Sequence, residues 1–378
     1  MAQTPEPDAI DPPLRRRSRV GLFLPYVLLL ALAVMWSAGW VYIRARAASE
    51  LDAWLAREAA AGRTWTCADR SLTGYPFRLE LRCSSVAFAR ADGRFTVGPL
   101  TAVVQVYQPR HGLVQVAGPF HAEQGPLTGD VTWNDLEGSF HGASDGFVRA
   151  SLVVDQPKGR VRGSEQPGEP GPIDVAAKHL ELHARPTPGR FDTDGAVDVS
   201  VRLAQAQIPQ LDAAVGSADP ADIDLDATID RATVLGTGTL ARELDKWRGA
   251  GGRLDVAGLS IAKGDRRVQA KGGVGLDDAH RLAGQFDLRA AGLEALIGQI
   301  MGQRFGASRG ALIGNLVGGL LAGMQRRERP DPAGPAVATP SPAEDGARLQ
   351  PLPPLRLADG RVLLGPLAIP NVALTPLY

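Results

Sequence analysis

Histidine and cysteine are scarce. The 378 residues carry six His and two Cys, too few for a His-rich catalytic metal centre or a zinc ribbon. Net charge is missing as well. Forty-one Lys plus Arg balance forty-one Asp plus Glu, so no basic field addresses nucleic acid and no acidic field addresses cations. Lysine is almost absent, five against thirty-six Arg, and the Arg residues are scattered, which reads as codon bias rather than as an anion site. Aromatics reach only 6%. Gly 44 and Pro 29 make up roughly a fifth of the chain, above average but short of low complexity. No cofactor is expected, and nucleic acid is not an expected partner.

What the chain does have is one long apolar run. Residues 1–19 are polar and Pro-rich, with Arg15, Arg16, Arg17 and Arg19 at the end, and read as a disordered cytoplasmic tail. Residues 20–43, Val20 to Ile43, hold no charge, and at about 1.5 Å per residue a helix of that length covers a hydrocarbon core of roughly 30 Å. Trp36, Trp40 and Tyr42 lie towards its far end, where such rings favour the membrane–water interface. The alternative is a cleaved signal peptide. The run exceeds the h-region of about 7–15 residues, and Ser37-Ala38-Gly39 is hemmed in by Trp36 and Trp40, so an uncleaved anchor is expected. Four Arg before the span against Arg44 and Arg46 after it predict a single pass through the inner membrane, with the C-terminal domain in the periplasm. Residues 44–63 carry Leu51, Trp54 and Leu55 at helical spacing and read as a neck helix.

Cys67 and Cys83 read as a disulfide in an oxidising compartment. Between them Gly74-Tyr75-Pro76-Phe77 is a turn cluster, and Phe77 to Cys83 alternates apolar with charged residues as a strand does. A hairpin folded near Tyr75 brings Cys67 opposite Cys83; the alternative is two buried free thiols.

These motifs carry a resemblance. Gly62-Arg63-Thr64-Trp65-Thr66-Cys67, Gly74-Tyr75-Pro76-Phe77-Arg78 and Cys83, after one N-terminal span, resemble a bacterial domain-of-unknown-function family of single-span envelope proteins. At the far end Leu357-Ala358-Asp359-Gly360-Arg361-Val362 and Gly365-Pro366-Leu367 are similar to the closing strands of AsmA-like envelope proteins. The resemblance implies an envelope location and a long curved β-sheet, and carries no activity.

From residue 64 onward, short alternating runs punctuated by Gly, Pro or Asp-Gly predict a mainly β fold: a long curved antiparallel sheet with a few covering helices. Strands are expected at Thr101 to Tyr107, Leu113 to Ala117, Gly129 to Trp133, Val148 to Val154, Val175 to Ala184 and Val197 to Leu203. Further strands are expected at Arg253 to Ile261, Arg267 to Leu276 and Leu282 to Ala290. Gln156 to Pro172, rich in Gly and Pro, reads as a mobile loop; Ile208 to Val215 and Ala241 to Trp247 begin short helices. The β-rich domain is expected over 64–325, with a helical insert at about 292–325. There Leu296, Ile297, Ile300, Leu316 and Leu320 keep helical spacing and are candidate ligand-facing or lid residues over the apolar face of the sheet. Residues 326–354 read as a Pro-rich linker, and 355–378 as strands returning to the sheet.

Several catalytic patterns fail on context. Gly306-Ala307-Ser308-Arg309-Gly310 matches a nucleophile elbow, yet no His follows residue 280. Ser260-Ile261-Ala262-Lys263 stands without its companion motifs, and Gly236-Thr237-Gly238-Thr239-Leu240-Ala241 lacks a βαβ surround and reads as a turn before a helix. His179, Glu181 and His183 share one side of a strand, as a two-His-one-carboxylate metal site requires, but a polar outer face produces the same alternation. No catalytic or metal residue is therefore assigned. The expected role is non-enzymatic: sheltering lipid or other apolar chains in envelope maintenance, or, alternatively, scaffolding an envelope protein partner through a sheet edge or the 156–172 loop.

Overall fold

The computed structural model describes residues 20–144, 146–163, 171–210, 212, 217–292 and 349–378. It opens with helix α1 (Val20–Ala60), forty-one residues without a break, so the expected span and neck form one rod. Its window from Leu22 is long and apolar enough to cross a membrane, and none of that window is buried in the protein.

The rest is mainly β, in two antiparallel sheets. The smaller runs β1 (Thr64–Ala68), β4 (Ser85–Arg90), β5 (Gly93–Val97), β8 (Phe120–Gln124), β9 (Leu127–Thr132), β12 (Lys158–Arg162), β13 (Ile173–Ala176). The larger has fifteen strands. It starts with β2 (Ser71–Thr73), β3 (Arg78–Cys83), β6 (Leu100–Gln105), β7 (Gln108–Val116), β10 (Asp135–Ala143) and β11 (Gly146–Asp155). It continues with β14 (His179–Pro186), β15 (Val197–Ala206), β16 (Ala221–Ile229), β17 (Leu254–Lys263), β18 (Arg266–Leu276) and β19 (Leu282–Ala291), and ends with β20 (Gln350–Ala358), β21 (Arg361–Leu364) and β22 (Leu367–Ala373). At about 4.8 Å between strands, fifteen strands span roughly 67 Å.

Up to β14 the chain lays hairpins alternately in the two sheets, and each crossing bends at a shared line. Backbone bonds continue through the bends: Gly98 N–H to Pro119 O at 3.2 Å, Ala117 N–H to Pro99 O at 2.8 Å, Asn134 N–H to Asp155 O at 2.9 Å, Ala177 N–H to Pro157 O at 2.9 Å. The two sheets are thus neighbouring strands folded over one corner, and Gly and Pro cluster there because the ladder must turn without a side chain in the crease. A Cβ on Gly98 would stand 2.6 Å from Gly118 O.

Several boundaries differ from the sequence reading. Val175 to Ala184 is two strands, β13 and β14, parted at the Ala177–Lys178 bend. Lys158–Arg162, inside the expected loop, is a strand paired on both sides, Gly159 with Val131 and with Val175; its charged alternation suits an outward face and hid it among the prolines. β20 begins at Gln350, inside the expected linker, because a register shift between Phe286 and Leu288 leaves Pro353 and Pro354 out of the pairing. Half of Ile208 to Val215, and all of 293–348, with Leu296, Ile297, Ile300, Leu316 and Leu320, lie outside the described residues.

The 230–253 connection carries α2 (Leu240–Gly249). Its Trp247 is buried and donates from Nε1 to Asp230 O at 2.7 Å, while Glu243 accepts the backbone N–H of Gly236 at 2.7 Å and of Gly238 at 3.1 Å. The Gly-Thr-Gly-Thr stretch is the turn into this helix. Gly238 O in turn accepts from Arg90 Nη1 at 2.8 Å, so this connection of the large sheet reaches the β4–β5 tip of the small one.

Candidate functional site

Strand alternation sorts the side chains of the large sheet onto two chemically distinct faces. On one, Leu79 and Leu81 oppose Val104 and Ala102, which oppose Gly112 and Val114. The same face runs on through Leu152 opposite Leu182 and Val154 opposite Leu180. At the centre Leu180, Leu203, Ile223 and Ile261 form one cross-strand row, and Leu182, Val201, Leu225 and Leu259 the next. The face continues through Val268 and Ala270 to Leu288 and Leu352. Apolar residues therefore line it from Leu79 of β3 to Leu352 of β20.

The small sheet has a matching face. Trp65 opposes Phe88, Phe88 opposes Phe95, and Val97 opposes Phe120. The rings touch in series with Trp54 of α1, at centroid separations of 5.8 Å (Trp54–Trp65), 4.6 Å (Trp65–Phe88), 5.2 Å (Phe88–Phe95) and 5.5 Å (Phe95–Phe120). The disulfide shows how the faces are related. Cys67 lies on the Trp65 face of β1, Cys83 on the Leu81 face of β3, and their sulfurs are bonded with Cα atoms 5.2 Å apart. The two apolar faces thus look inward at the corner. This corrects the geometry of the expected hairpin: the turn at Tyr75 joins β2 to β3, with Ser71 opposite Arg82, while Cys67 pairs in register with Val86 on β4. The staple joins the two sheets rather than the arms of one hairpin.

Among the described residues no large side chain is fully buried, and the buried apolar residues are mostly alanines, such as the Ala177, Ala206 and Ala221 cluster under Leu203 and Ile223. A body of this size ordinarily closes around fully buried Leu, Ile and Phe. Here those residues are half-covered.

The opposite face carries the charged residues, many of them paired. Arg160 holds Asp174 (2.5 Å), Arg162 holds Asp130 (3.1 Å) and Arg94 holds Glu123 (2.6 Å). His179 and His183 do share a side with Glu181, but as links in a hydrogen-bonded row: Asp155 to His179 Nδ1 at 2.6 Å, His179 Nε2 to Glu181 at 3.1 Å, Glu181 to His183 Nε2 at 3.2 Å, His183 Nδ1 to Ser151 Oγ at 2.9 Å. Asp155, then Glu181, raise the His179 pKa, and the two imidazoles lower that of Glu181. Among the described residues no group of three or more His, Cys, Asp or Glu is placed to hold a metal ion. Ser260 and Lys263 sit three apart on a strand and so point to opposite faces; Lys263 is buried against Asp212 at 2.6 Å. A trough of about 410 Å³ on this face is bordered by Arg78, Thr101, Gln105, Gln115 and Glu137 and floored in part by Val103, Leu113 and Val153, and Gln115 bonds Glu137 at 2.8 Å across it.

At the turn motif, Tyr75, Pro76 and Phe77 meet α1. Trp36 Nε1 donates to Pro76 O at 3.0 Å, Ser37 Oγ and Tyr75 OH are 2.8 Å apart, and Trp40 Nε1 donates to Arg78 O at 3.2 Å. Gly74 adopts φ +106°, and a Cβ there would meet Arg78 O at 2.7 Å, which is why this position takes glycine. Sequence reasoning missed the aromatic series and a stacked pair, His111 on His141, because both are assembled by register between strands distant in sequence. The regular Trp65, Phe88, Phe95 and Phe120 placement on apolar parity was the one available sign.

A family described as an uncharacterized protein conserved in bacteria, DUF2125, matches residues 40–373. No curated protein matches the chain, and no solved structure does.

Proposed function

This chain belongs to the DUF2125 family of proteins conserved in bacteria, and on that premise we propose that it is a membrane-anchored, non-enzymatic envelope protein whose folded sheet shelters lipid acyl chains. The carrying observation is the uninterrupted apolar face of the large sheet, turned inward with the aromatic face of the small one, and free of any large, fully buried side chain among the described residues. Surfaces of that apolarity stay in contact with water only at a high cost, so they take a guest. α1 supplies the anchor in the inner membrane, the Cys67–Cys83 bridge fits an oxidising periplasm, and the AsmA-like resemblance of the closing strands points the same way. Native mass spectrometry of the full chain, released gently from detergent, is expected to show adducts of phospholipid or acyl-chain mass. Bare protein from every preparation would sink the reading.

A second reading rests on the sheet edges. β13 and β22 end their sheets; Ala176 at one end of β13 is bridged to Gln207, while Ile173 at the other is 44% exposed, so a partner strand would add at the Ile173 end or along β22. In-cell crosslinking from β13 that returns one stoichiometric protein, together with lipid-free native spectra, would favour this scaffold role.

A further inference from the structure

Two hairpin tips at one end of the large sheet lie side by side. The β2–β3 tip carries Tyr75 and Phe77, exposed by 57% and 59%, and the neighbouring β6–β7 tip carries Tyr107, exposed by 64%; Val106 N–H bonds Phe77 O at 2.9 Å, joining the two. The first tip rests on Trp36, Ser37 and Trp40 of α1, inside the uncharged stretch that ends before Arg44. At about 1.5 Å per residue, Ser37 stands roughly 10 Å before Arg44 along the helix, so the tip meets the outer end of that stretch, beside the Trp36 and Trp40 rings that favour the membrane–water interface.

Behind the aromatic tips is a cationic group. β7, β10 and β11 place His111, His141 and Arg149 in one cross-strand row, with Arg110 beside them in a pocket that also takes Tyr107 and Gly142. The imidazoles stack with centroids 3.8 Å apart, and Arg149 Nη2 approaches His141 Nε2 at 3.3 Å. Elsewhere on the polar faces, arginines such as Arg94, Arg160 and Arg162 hold a carboxylate; Arg110 and Arg149 have none among the described residues. Asp145 of the intervening turn lies outside them. His141 Nδ1 is buried without a partner. Burial, then His111 and Arg149, hold the His141 pKa down, which favours its neutral form, so the fixed positive charge of the group is that of Arg110 and Arg149.

We propose that this rim is a second contact with the bilayer: Tyr75, Phe77 and Tyr107 lie in the headgroup layer, and Arg110 and Arg149, beside the stacked His111 and His141, receive the phosphate of an anionic phospholipid. Aromatic rings at the interface with cations at phosphate depth are the arrangement a lipid surface selects. The inference rests on α1 spanning the membrane, and on nothing about the sheltered apolar face. The sheet would then stand with these tips on the bilayer, held at two points rather than one.

The test uses the full chain in vesicles of phosphatidylcholine with or without 30% phosphatidylglycerol, about a third of the lipid being anionic. A photoreactive p-benzoylphenylalanine replaces Tyr107 in one sample and Leu30 in another. Lipid adducts from position 107 are expected, enriched in phosphatidylglycerol and lowered on the order of tenfold by Arg110→Glu with Arg149→Glu, with near-ultraviolet circular dichroism unchanged. Adducts from 30 but none from 107 would overturn the rim and leave the anchor standing; none from either would remove both. Equal yield from neutral vesicles, insensitive to the Glu pair, would overturn the phosphate contact. Suppression by millimolar inorganic phosphate at unchanged salt would reassign the cluster to a free anion, and crosslinks to protein alone would reassign the rim to a protein partner.

Discussion

Cys67 and Cys83 stand on different sheets, so their bond fixes the corner at its first crossing. Closing a loop of sixteen residues stabilises by about 3 kcal/mol in the chain-entropy model. Cys67→Ala with Cys83→Ala is expected to lower the unfolding free energy by that order, read by denaturant titration, with the loss centred on β1 and β3 in hydrogen exchange. The histidines make a second residue-scale prediction. Asp130, then Glu123, raise the His121 pKa, as Asp155 and Glu181 raise that of His179, while burial, His111 and Arg149 lower that of His141. A raised folded pKa means the His121 and His179 contributions are full below the unfolded value of about 6.5 and fade as pH climbs through the folded values. His141 has the opposite sign: its contribution is present above about 6.5 and is lost as pH falls through its lower folded value. Imidazole NMR titration should order them with His141 below and His121 and His179 above the free value; a common midpoint for all three would refute the assignment.

At the scale of elements, α1 and α2 are held by different means. α1 is apolar over its first half by composition alone, and its second half is tied to the sheets by Trp54 on Trp65, Trp40 on Tyr75 and Arg44 Nε on Leu72 O at 2.7 Å. α2 is strongly amphipathic, and its Trp247 fills the space under the 230–253 connection, where a Cβ on Gly252 would already strike the indole. Trp247→Ala is expected to cost about 3–5 kcal/mol and to open that connection to protease. Glu243→Ala should expose the same segment by orphaning the Gly236 and Gly238 N–H groups, whereas Glu243→Gln should largely protect it. Equal cleavage of all three proteins and wild type would show that α2 is not fastened this way.

Across the whole molecule, the question is whether the inner apolar face is sealed protein or lipid-lined. The half-covered Leu225, at the centre of the large sheet, reports on it. In a sealed core Leu→Ala costs about 2–5 kcal/mol; on a face that is lined by lipid, Leu225→Ala in delipidated protein should cost under about 1.5 kcal/mol, and Leu225→Asp should reduce bound lipid while the fold persists. Destabilisation of 3 kcal/mol or more, a value typical of closed cores, would argue for a sealed interior.

Alternation, turn residues and the charge-free stretch are local properties, and from them the β class, the N-terminal helix, the two sulfurs as a pair and the turn at Gly74–Phe77 were all legible. Each depends on residues a few positions apart, where period and φ preference act directly. The bend was not legible, because a strand that changes sheets keeps its alternation on both sides of the crease; Val175 to Ala184 reads as one strand for that reason, and Lys158–Arg162 as loop. Nor could sequence alone assign Cys67 to one sheet and Cys83 to the other, gather Trp54, Trp65, Phe88, Phe95 and Phe120 into one series, or set Arg110 and Arg149 beside two stacked imidazoles. Those juxtapositions come from register between strands far apart along the chain, and only the closed ladder of backbone hydrogen bonds decides that register.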